Sequence, residues 1–298
     1  MSYNQSNPMK ETKEISALLH LIDDPDEEVY ITVCDKIVSF GKAIIPNLEN
    51  LWENTPDEGV QERIEFLIHR LHFQDLQAEF TEWCKADEPD LFHGALLIAK
   101  YQYPDLNTTA IYQELEKMRR NTWLELNNYL TPLEQVNVVN NILYNYYKLK
   151  GSEISYAHPD DFLIHKAVEG KKGNSLANGI LYLSLCEMLD IPVRIINIPR
   201  QFIIAYFEQD TFFEALPKNP SEKILFYIDP LSGQVYTQKD VETYFKRINV
   251  PVTPAYFKPM NTRRIIQLLI EEFAKCFDDT KNEYKRNELL LLADMLNS

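Results

Sequence analysis

Glycine is scarce in this sequence, with eight in 298 residues. Few backbone positions with positive φ are therefore expected, which favours a mostly helical chain over a large doubly wound fold full of tight turns. Cysteine is scarcer still. Cys34, Cys84, Cys186 and Cys276 lie far apart and form no CxxC pair. Neither a disulfide framework nor a zinc site is expected, and the four read as buried thiols in a reducing compartment. Basic residues are outnumbered, 30 Lys and Arg against 45 Asp and Glu, for a net charge of −15. That balance argues against nucleic acid and anionic membranes as partners. No apolar run approaches the roughly 18 residues of a membrane span. The polar start, Met1–Ser16, lacks the apolar stretch of a signal peptide. The expectation is a cytoplasmic protein. Histidine also runs out early: of the six, none follows His165.

What is present is a chain 45% hydrophobic, long enough for two domains. Its first third repeats. Asp24-Pro25-Asp26-Glu27-Glu28-Val29 recurs as Thr55-Pro56-Asp57-Glu58-Gly59-Val60 and more weakly as Glu88-Pro89-Asp90-Leu91, with prolines 31 and 33 positions apart. Each copy has the chemistry of a helix start: a capping or acidic residue, Pro at the first helical position, and carboxylates in the first turn. Apolar stripes at helical spacing follow, Val29-Val33-Ile37-Phe40 and Ile64-Leu67-Ile68-Leu71. A period in the low thirties with two helices per unit predicts a stacked helical array. The motif resembles HEAT-type repeats over about Thr12–Leu106.

Two long helices are predicted next, over about Thr109–Tyr129 and from Thr131-Pro132-Leu133-Glu134 through Tyr146. The second start reads as a capping box. Gly151–Asp160 reads as a loop. A helix over about Leu176–Leu189 ends at Asp190-Ile191-Pro192, because the residue before proline avoids helical geometry. Val193–Ile198, Phe202–Phe207, Ile224–Ile228 and a short Val235–Thr237 read as strands. Their short links predict an antiparallel sheet in an α+β, mostly α, architecture. Pro251–Pro259 reads as a linker or packed arm, and Thr262–Cys276 with Lys281–Leu296 as a C-terminal helical hairpin.

The segments Phe162–Gly173, Gly179-Ile180-Leu181-Tyr182-Leu183, Leu189-Asp190-Ile191-Pro192-Val193, Ile198-Pro199-Arg200-Gln201-Phe202-Ile203 and Ile228-Asp229-Pro230 together resemble the SirB-like branch of the transglutaminase-like superfamily. The resemblance covers about Leu133–Tyr244 and rests on order and spacing. It implies a papain-like domain over 109–258, between a helical repeat region over 1–108 and a hairpin over 259–298. In active members a Cys at a helix N-terminus attacks an acyl group, a His on the next strand is its base, and an Asp on the following strand orients the His. A helix N-terminus and a neighbouring imidazole both favour the thiolate. Position by position, the resemblance places the Cys at Ser175, the His at Gln201 and the Asp at Asp229. The glycine before the family's His is replaced by Arg200.

These substitutions remove the chemistry. A serine hydroxyl needs a base, and a glutamine amide cannot be one. His158 and His165 precede the helix and could serve only by folding back. Cys186 shares an apolar stripe with Tyr182 and Leu189 and reads as a core thiol. Each triad position also has a structural reading: Ser175 as a helix cap, Gln201 as a hydrogen-bonding strand start, Asp229 as a turn opener. Gly170–Ser175 lacks the order of a phosphate loop. His69 and His72 lack further ligands at metal spacing. Tyr144, Tyr146 and Tyr147 read as core. Neither a cofactor nor a metal is expected. The sequence thus predicts a non-catalytic transglutaminase-like protein that binds protein or peptide. Residual acyl transfer or hydrolysis through Ser175 is the alternative.

Overall fold

The computed structural model describes residues 13–208 and 217–297, so most of the polar N-terminal stretch lies outside the described residues. Chain contacts divide the protein into two units at Phe80/Thr81.

The first unit is built from α1 (Lys13–His20), α2 (Glu27–Val38), a tight turn of 3-10 helix (Gly41–Ile44), α3 (Ile45–Asn54) and most of α4 (Glu58–Lys85). Val33, Ile37, Ile64, Leu67 and Leu71, from the two apolar stripes, are buried together with Ile15, Ile44 and Leu48. Arg63 donates to the carbonyls of Ile22 (3.0 Å) and Asp24 (2.9 Å) and lies over the Tyr30 ring. One guanidinium thereby fixes the loop before α2.

The repeated motif starts helices two residues later than expected. Asp26 Oδ1 accepts from Glu28 N–H, Asp57 Oδ1 from Val60 N–H, and Asp90 Oδ1 from His93 N–H. In each copy the cap is the aspartate after the proline, so Pro25, Pro56 and Pro89 precede the helix rather than open it. A short carboxylate satisfies an orphan amide of the first turn, whereas proline has no N–H to place there and its fixed φ suits the extended entry.

The second unit opens with α5 (Leu91–Gln102), α6 (Thr108–Glu125) and α7 (Pro132–Asn140). The predicted capping box at Thr131 and Glu134 is formed. Beyond Asn140 the helix widens into a π-type turn, Asn141–Tyr146, closed by Tyr147 N–H to Ile142 carbonyl. That extra residue turns Tyr146 outward, 66% exposed, which corrects its assignment to the core. Next come β1 (Lys150–Ser152), a turn of 3-10 helix (Pro159–Phe162), α8 (Ile164–Glu169), β2 (Lys172–Asn174) and α9 (Ser175–Glu187). β1 pairs in parallel with β2, so part of the predicted loop after Gly151 is strand.

β3 (Val193–Ile198), β4 (Gln201–Phe207), β5 (Ile224–Ile228) and β6 (Val235–Tyr236) form an antiparallel sheet, as the sequence predicted, and the strands lie in chain order. α10 (Gln238–Ile248) follows, and α11 (Thr262–Ala274) with α12 (Glu283–Asp294) makes the C-terminal hairpin. α9 is buried without a break from Leu176 to Cys186, with Asn178 and Ser184 the polar residues in that run, as a helix apolar on nearly all sides must be. It packs against β3, β4, α5 and α8. Ile196, Ile203, Ala205 and Tyr227 of the sheet pack instead with Val241 and Phe245 of α10. Phe257 joins this cluster, so the proline-rich segment is a packed arm.

The glycine count misled in one respect. Lys148, Lys171, Asp190, Arg200 and Asn249 all adopt φ between +52° and +64°. Left-handed turns are present, and residues bearing a Cβ occupy them at a cost glycine would not incur.

Candidate functional site

Ser175, Gln201 and Asp229 border one cleft of about 660 Å³. Three separate elements deliver them: the first turn of α9, the first residue of β4 and the end of β5. β4 is held against α9 where the Phe202 ring meets Gly179. The antiparallel register that pairs Ile204 with Ile228 brings the end of β5 beside the start of β4.

Ser175 is not the helix cap. Asn174 is: its backbone is extended (φ −78°, ψ −177°), and its buried Oδ1 accepts from Leu176 N–H at 3.0 Å and Ala177 N–H at 3.1 Å. Ser175 therefore sits at the first helical position, where the helix dipole presents partial positive charge. Its hydroxyl makes no hydrogen bond to the described residues.

Gln201 follows a two-residue turn, Pro199-Arg200, and pairs with Ile198 across it. The left-handed φ of Arg200, +64°, explains why glycine suits this position in the family. Gln201 is exposed. Its amide makes no hydrogen bond to the described residues, contrary to its reading as a bonded strand start.

Asp229 has both carboxylate oxygens engaged in its own turn. Leu231 N–H donates to Oδ1 (3.0 Å) and Ser232 Oγ to Oδ2 (2.7 Å), while Gly233 N–H closes on the Asp229 carbonyl (2.8 Å). The turn is clamped from the α7 side. Tyr144 donates to Pro230 carbonyl (2.9 Å), Asn140 Nδ2 to Gly233 carbonyl (2.7 Å), and Tyr182 of α9 to Asn140 Oδ1 (3.0 Å). Gly233 has φ +73°, and a Cβ there would stand 2.7 Å from the Tyr144 ring. Burial, reinforced by the Asp229 charge, pushes the Tyr144 hydroxyl far above the usual tyrosine range. The aspartate that would orient a histidine is thus the keystone of a turn.

None of the six histidines borders this cleft. His165 is 3% exposed, stacks edge-on against Tyr103 at 4.9 Å, and is pushed down to about 4 by burial. His158 borders a separate charged hollow with Asp161 and Lys166. Neither folds back to Ser175. Cys186 is fully buried, and burial pushes its thiol well above the ordinary range, as a core thiol requires. Among the described residues no group of three His, Cys, Asp or Glu is placed to hold a metal.

Sequence reasoning missed several walls of the cleft. Glu153, Ile154 and Tyr156 come from the segment after β1, and Leu268 and Glu272 from one face of α11. Tyr156 donates to Glu272 Oε2 at 2.8 Å, and Lys275 reaches Glu272 Oε1 at 2.6 Å. The i,i+4 spacing of Leu268 and Glu272 was visible, but nothing local says which face of α11 meets a cleft.

A family model for the transglutaminase-like superfamily matches residues 109–271. The chain belongs to this superfamily. Among curated proteins, mouse F-box only protein 21 is 24% identical over 136 residues, which cover 45% of this chain and 20% of that protein. The human protein gives the same figures. The protein from Pongo abelii is 23% identical over 136 residues. The chain thus spans about a fifth of the length of these relatives, and the likeness indicates no specific function. No solved structure matches the chain significantly. As a transglutaminase-like site, the cleft holds a helix-terminal hydroxyl, an amide and a committed carboxylate, with no imidazole in reach of the hydroxyl.

Proposed function

We propose that this transglutaminase-like protein is non-catalytic and uses its cleft to bind protein or peptide. One observation carries the reading: Ser175, Gln201 and Asp229 border the same cleft, and no histidine does. A serine hydroxyl is barely ionised near neutral pH and attacks only when a base removes its proton. Gln201 has no such capacity, and Asp229 spends both oxygens on its turn. What survives is an open cleft bordered by a hydroxyl and an amide without partners among the described residues. Such groups suit hydrogen bonding to a peptide backbone.

The finer family placement belongs to the same proposal. The motif order from Phe162 to Pro230 supports the SirB-like branch. The aspartate caps at Asp26, Asp57 and Asp90 support a HEAT-like array before the domain, whose helices would add a second protein-binding surface. Four free cysteines, two of them buried, support a cytoplasmic setting.

A peptide array probed with the purified chain and with Ser175→Trp tests the reading. The indole would fill the mouth of the cleft, and binding to the array is expected to fall at least about tenfold, the loss of roughly 1.4 kcal/mol. Equal binding by both proteins would remove the cleft from the proposal. Ester or amide hydrolysis by the wild-type chain that disappears in Ser175→Ala would overturn the non-catalytic reading in favour of a serine acyl enzyme.

A further inference from the structure

β3 is the outer strand of its sheet, with β4 its neighbour on one side. The phase of its hydrogen bonds decides which of its residues face outward. Phe207 N–H donates to the Pro192 carbonyl at 2.9 Å, and the register runs from Val193 opposite Tyr206 to Ile198 opposite Gln201. Antiparallel pairs alternate between bonded and unbonded. Arg194, Ile196 and Ile198 therefore bond β4, while Val193, Ile195 and Asn197 turn their amides and carbonyls to the open edge. Met260, just after the proline-rich arm, agrees with this phase: its N–H donates to the Ile195 carbonyl at 2.8 Å.

Asn197 is the next outward residue toward the hairpin turn. Its N–H and carbonyl make no hydrogen bond to the described residues. It is exposed and borders the same cleft as Ser175 and Gln201. Ile196 and Ile198 pack toward α10, so strand alternation turns the Asn197 side chain to the α9 face, where that cleft lies. An unpaired donor and acceptor on a sheet edge, opening on a cleft of about 660 Å³, are the two groups that an extended chain would pair. The charge of the lining selects among such chains. Glu153, Asp229 and Glu272 border the cleft against Arg200. Neutral donors on Asp229 and Glu272 do not cancel their charge, and Lys275 offsets one carboxylate at most. The lining is therefore net negative, in a chain of net charge −15.

We propose that an extended basic peptide binds this cleft as a short added strand on the β3 edge, its backbone pairing with the N–H and carbonyl of Asn197. Met260 already pairs with this edge one outward residue away, so the peptide continues a pairing that the chain itself begins. Backbone pairing supplies the anchor, and the carboxylates of the lining favour Lys or Arg among the side chains. The inference rests on the peptide-binding reading of the cleft and names the edge and the chemistry that reading leaves open.

Fluorescence anisotropy with a labelled decapeptide of alternating Lys and Ser, beside its Gln and Glu counterparts and a Lys peptide N-methylated at every residue, tests it. The Lys peptide is expected to bind about fivefold more tightly than the Gln peptide at low salt, and to lose that advantage as salt rises. Asn197→Pro removes the outward N–H without touching the ladder to β4, a place where an edge strand tolerates proline. It is expected to weaken the Lys peptide about fivefold, the scale of one hydrogen bond, whereas Asn197→Ala keeps the backbone and is expected to bind within about twofold of wild type. N-methylation tests the same pairing without altering the protein and is expected to cost at least about tenfold. Equal losses in Asn197→Pro and Asn197→Ala, or an N-methylated peptide that binds as well as its parent, would overturn strand addition. Equal affinity for the Lys and Gln peptides, or tighter binding of the Glu peptide, would overturn the basic assignment. Binding that Ser175→Trp abolishes and Asn197→Pro leaves intact would sink the added strand while keeping the peptide cleft. Binding of none of the peptides would overturn the inference and count against the peptide cleft as well.

Discussion

Phe202 lies so close to Gly179 that a Cβ at residue 179 would stand 2.6 Å from its Cε1. The contact is where α9 touches β4, one turn after Ser175 and one residue after Gln201. Gly179→Ala must displace a ring that is 7% exposed, and overpacking of this kind costs about 1–3 kcal/mol. Urea denaturation is expected to show that loss, and Gly179→Ala/Phe202→Leu is expected to recover part of it. An additive double variant would mean that the two residues do not press on each other.

Arg200 gives the opposite sign. At φ +64° its Cβ is crowded, a cost of about 1 kcal/mol that glycine avoids. Arg200→Gly is expected to raise the urea midpoint by a corresponding amount. A lower midpoint would mean that the guanidinium contributes more to folding than the turn strain removes.

The Asp229 turn predicts a graded series. Asp229→Asn retains an oxygen for Leu231 N–H, whereas Asp229→Ala leaves that amide and the Ser232 hydroxyl without their partner. The alanine variant is expected to lose about 1–2 kcal/mol and the asparagine variant less than half of that. Equal losses would indicate that the carboxylate charge matters more than its geometry.

His165 makes stability fall in acid. Its value is about 4 in the folded chain and about 6.5 when unfolded. Between those values the unfolded state binds a proton that the folded state does not, so stability decreases as pH falls from 6.5 to 4, by up to about 3 kcal/mol. His165→Phe preserves the ring against Tyr103 and removes the proton. Its stability profile is expected to be flatter than wild type across this window, measured by urea melts at pH 7, 5.5 and 4.5. Parallel profiles would show that His165 is not the group responsible.

Restoring the family's reacting groups probes the geometry of the cleft directly. In Ser175→Cys/Gln201→His the introduced thiol gains both the α9 terminus and an imidazole, so iodoacetamide is expected to modify it at least about tenfold faster than in Ser175→Cys alone. The four native thiols give little background, because burial raises each of them. Equal rates would mean that position 201 does not reach position 175.

Much of this architecture was legible in the sequence because its signals are local. Short runs rich in β-branched and aromatic residues gave β3 and β5 their bounds, and Thr131 with Glu134 announced the start of α7. The three helix starts of the recurring motif were legible too, although each cap fell on the aspartate after the proline. Tyr146 was misread because a single extra residue in the π turn rotates everything after it, and no nearby residue encodes that. Ser175 was taken for the cap that Asn174 supplies, because neighbouring residues with short polar side chains carry the same local propensity.

The sequence by itself determined most of the long helices, the four strands of an antiparallel sheet and the absence of a thiol and an imidazole at positions 175 and 201. Those are properties of residue type and spacing. Only the tertiary structure decided that Ser175, Gln201 and Asp229 share a cleft, that Asp229 is consumed by its own turn, and that α11 and the segment after β1 supply the other walls. Each of these depends on which distant backbone groups meet. The choice is made by packing α9 against the sheet and by satisfying buried polar atoms, not by any local pattern.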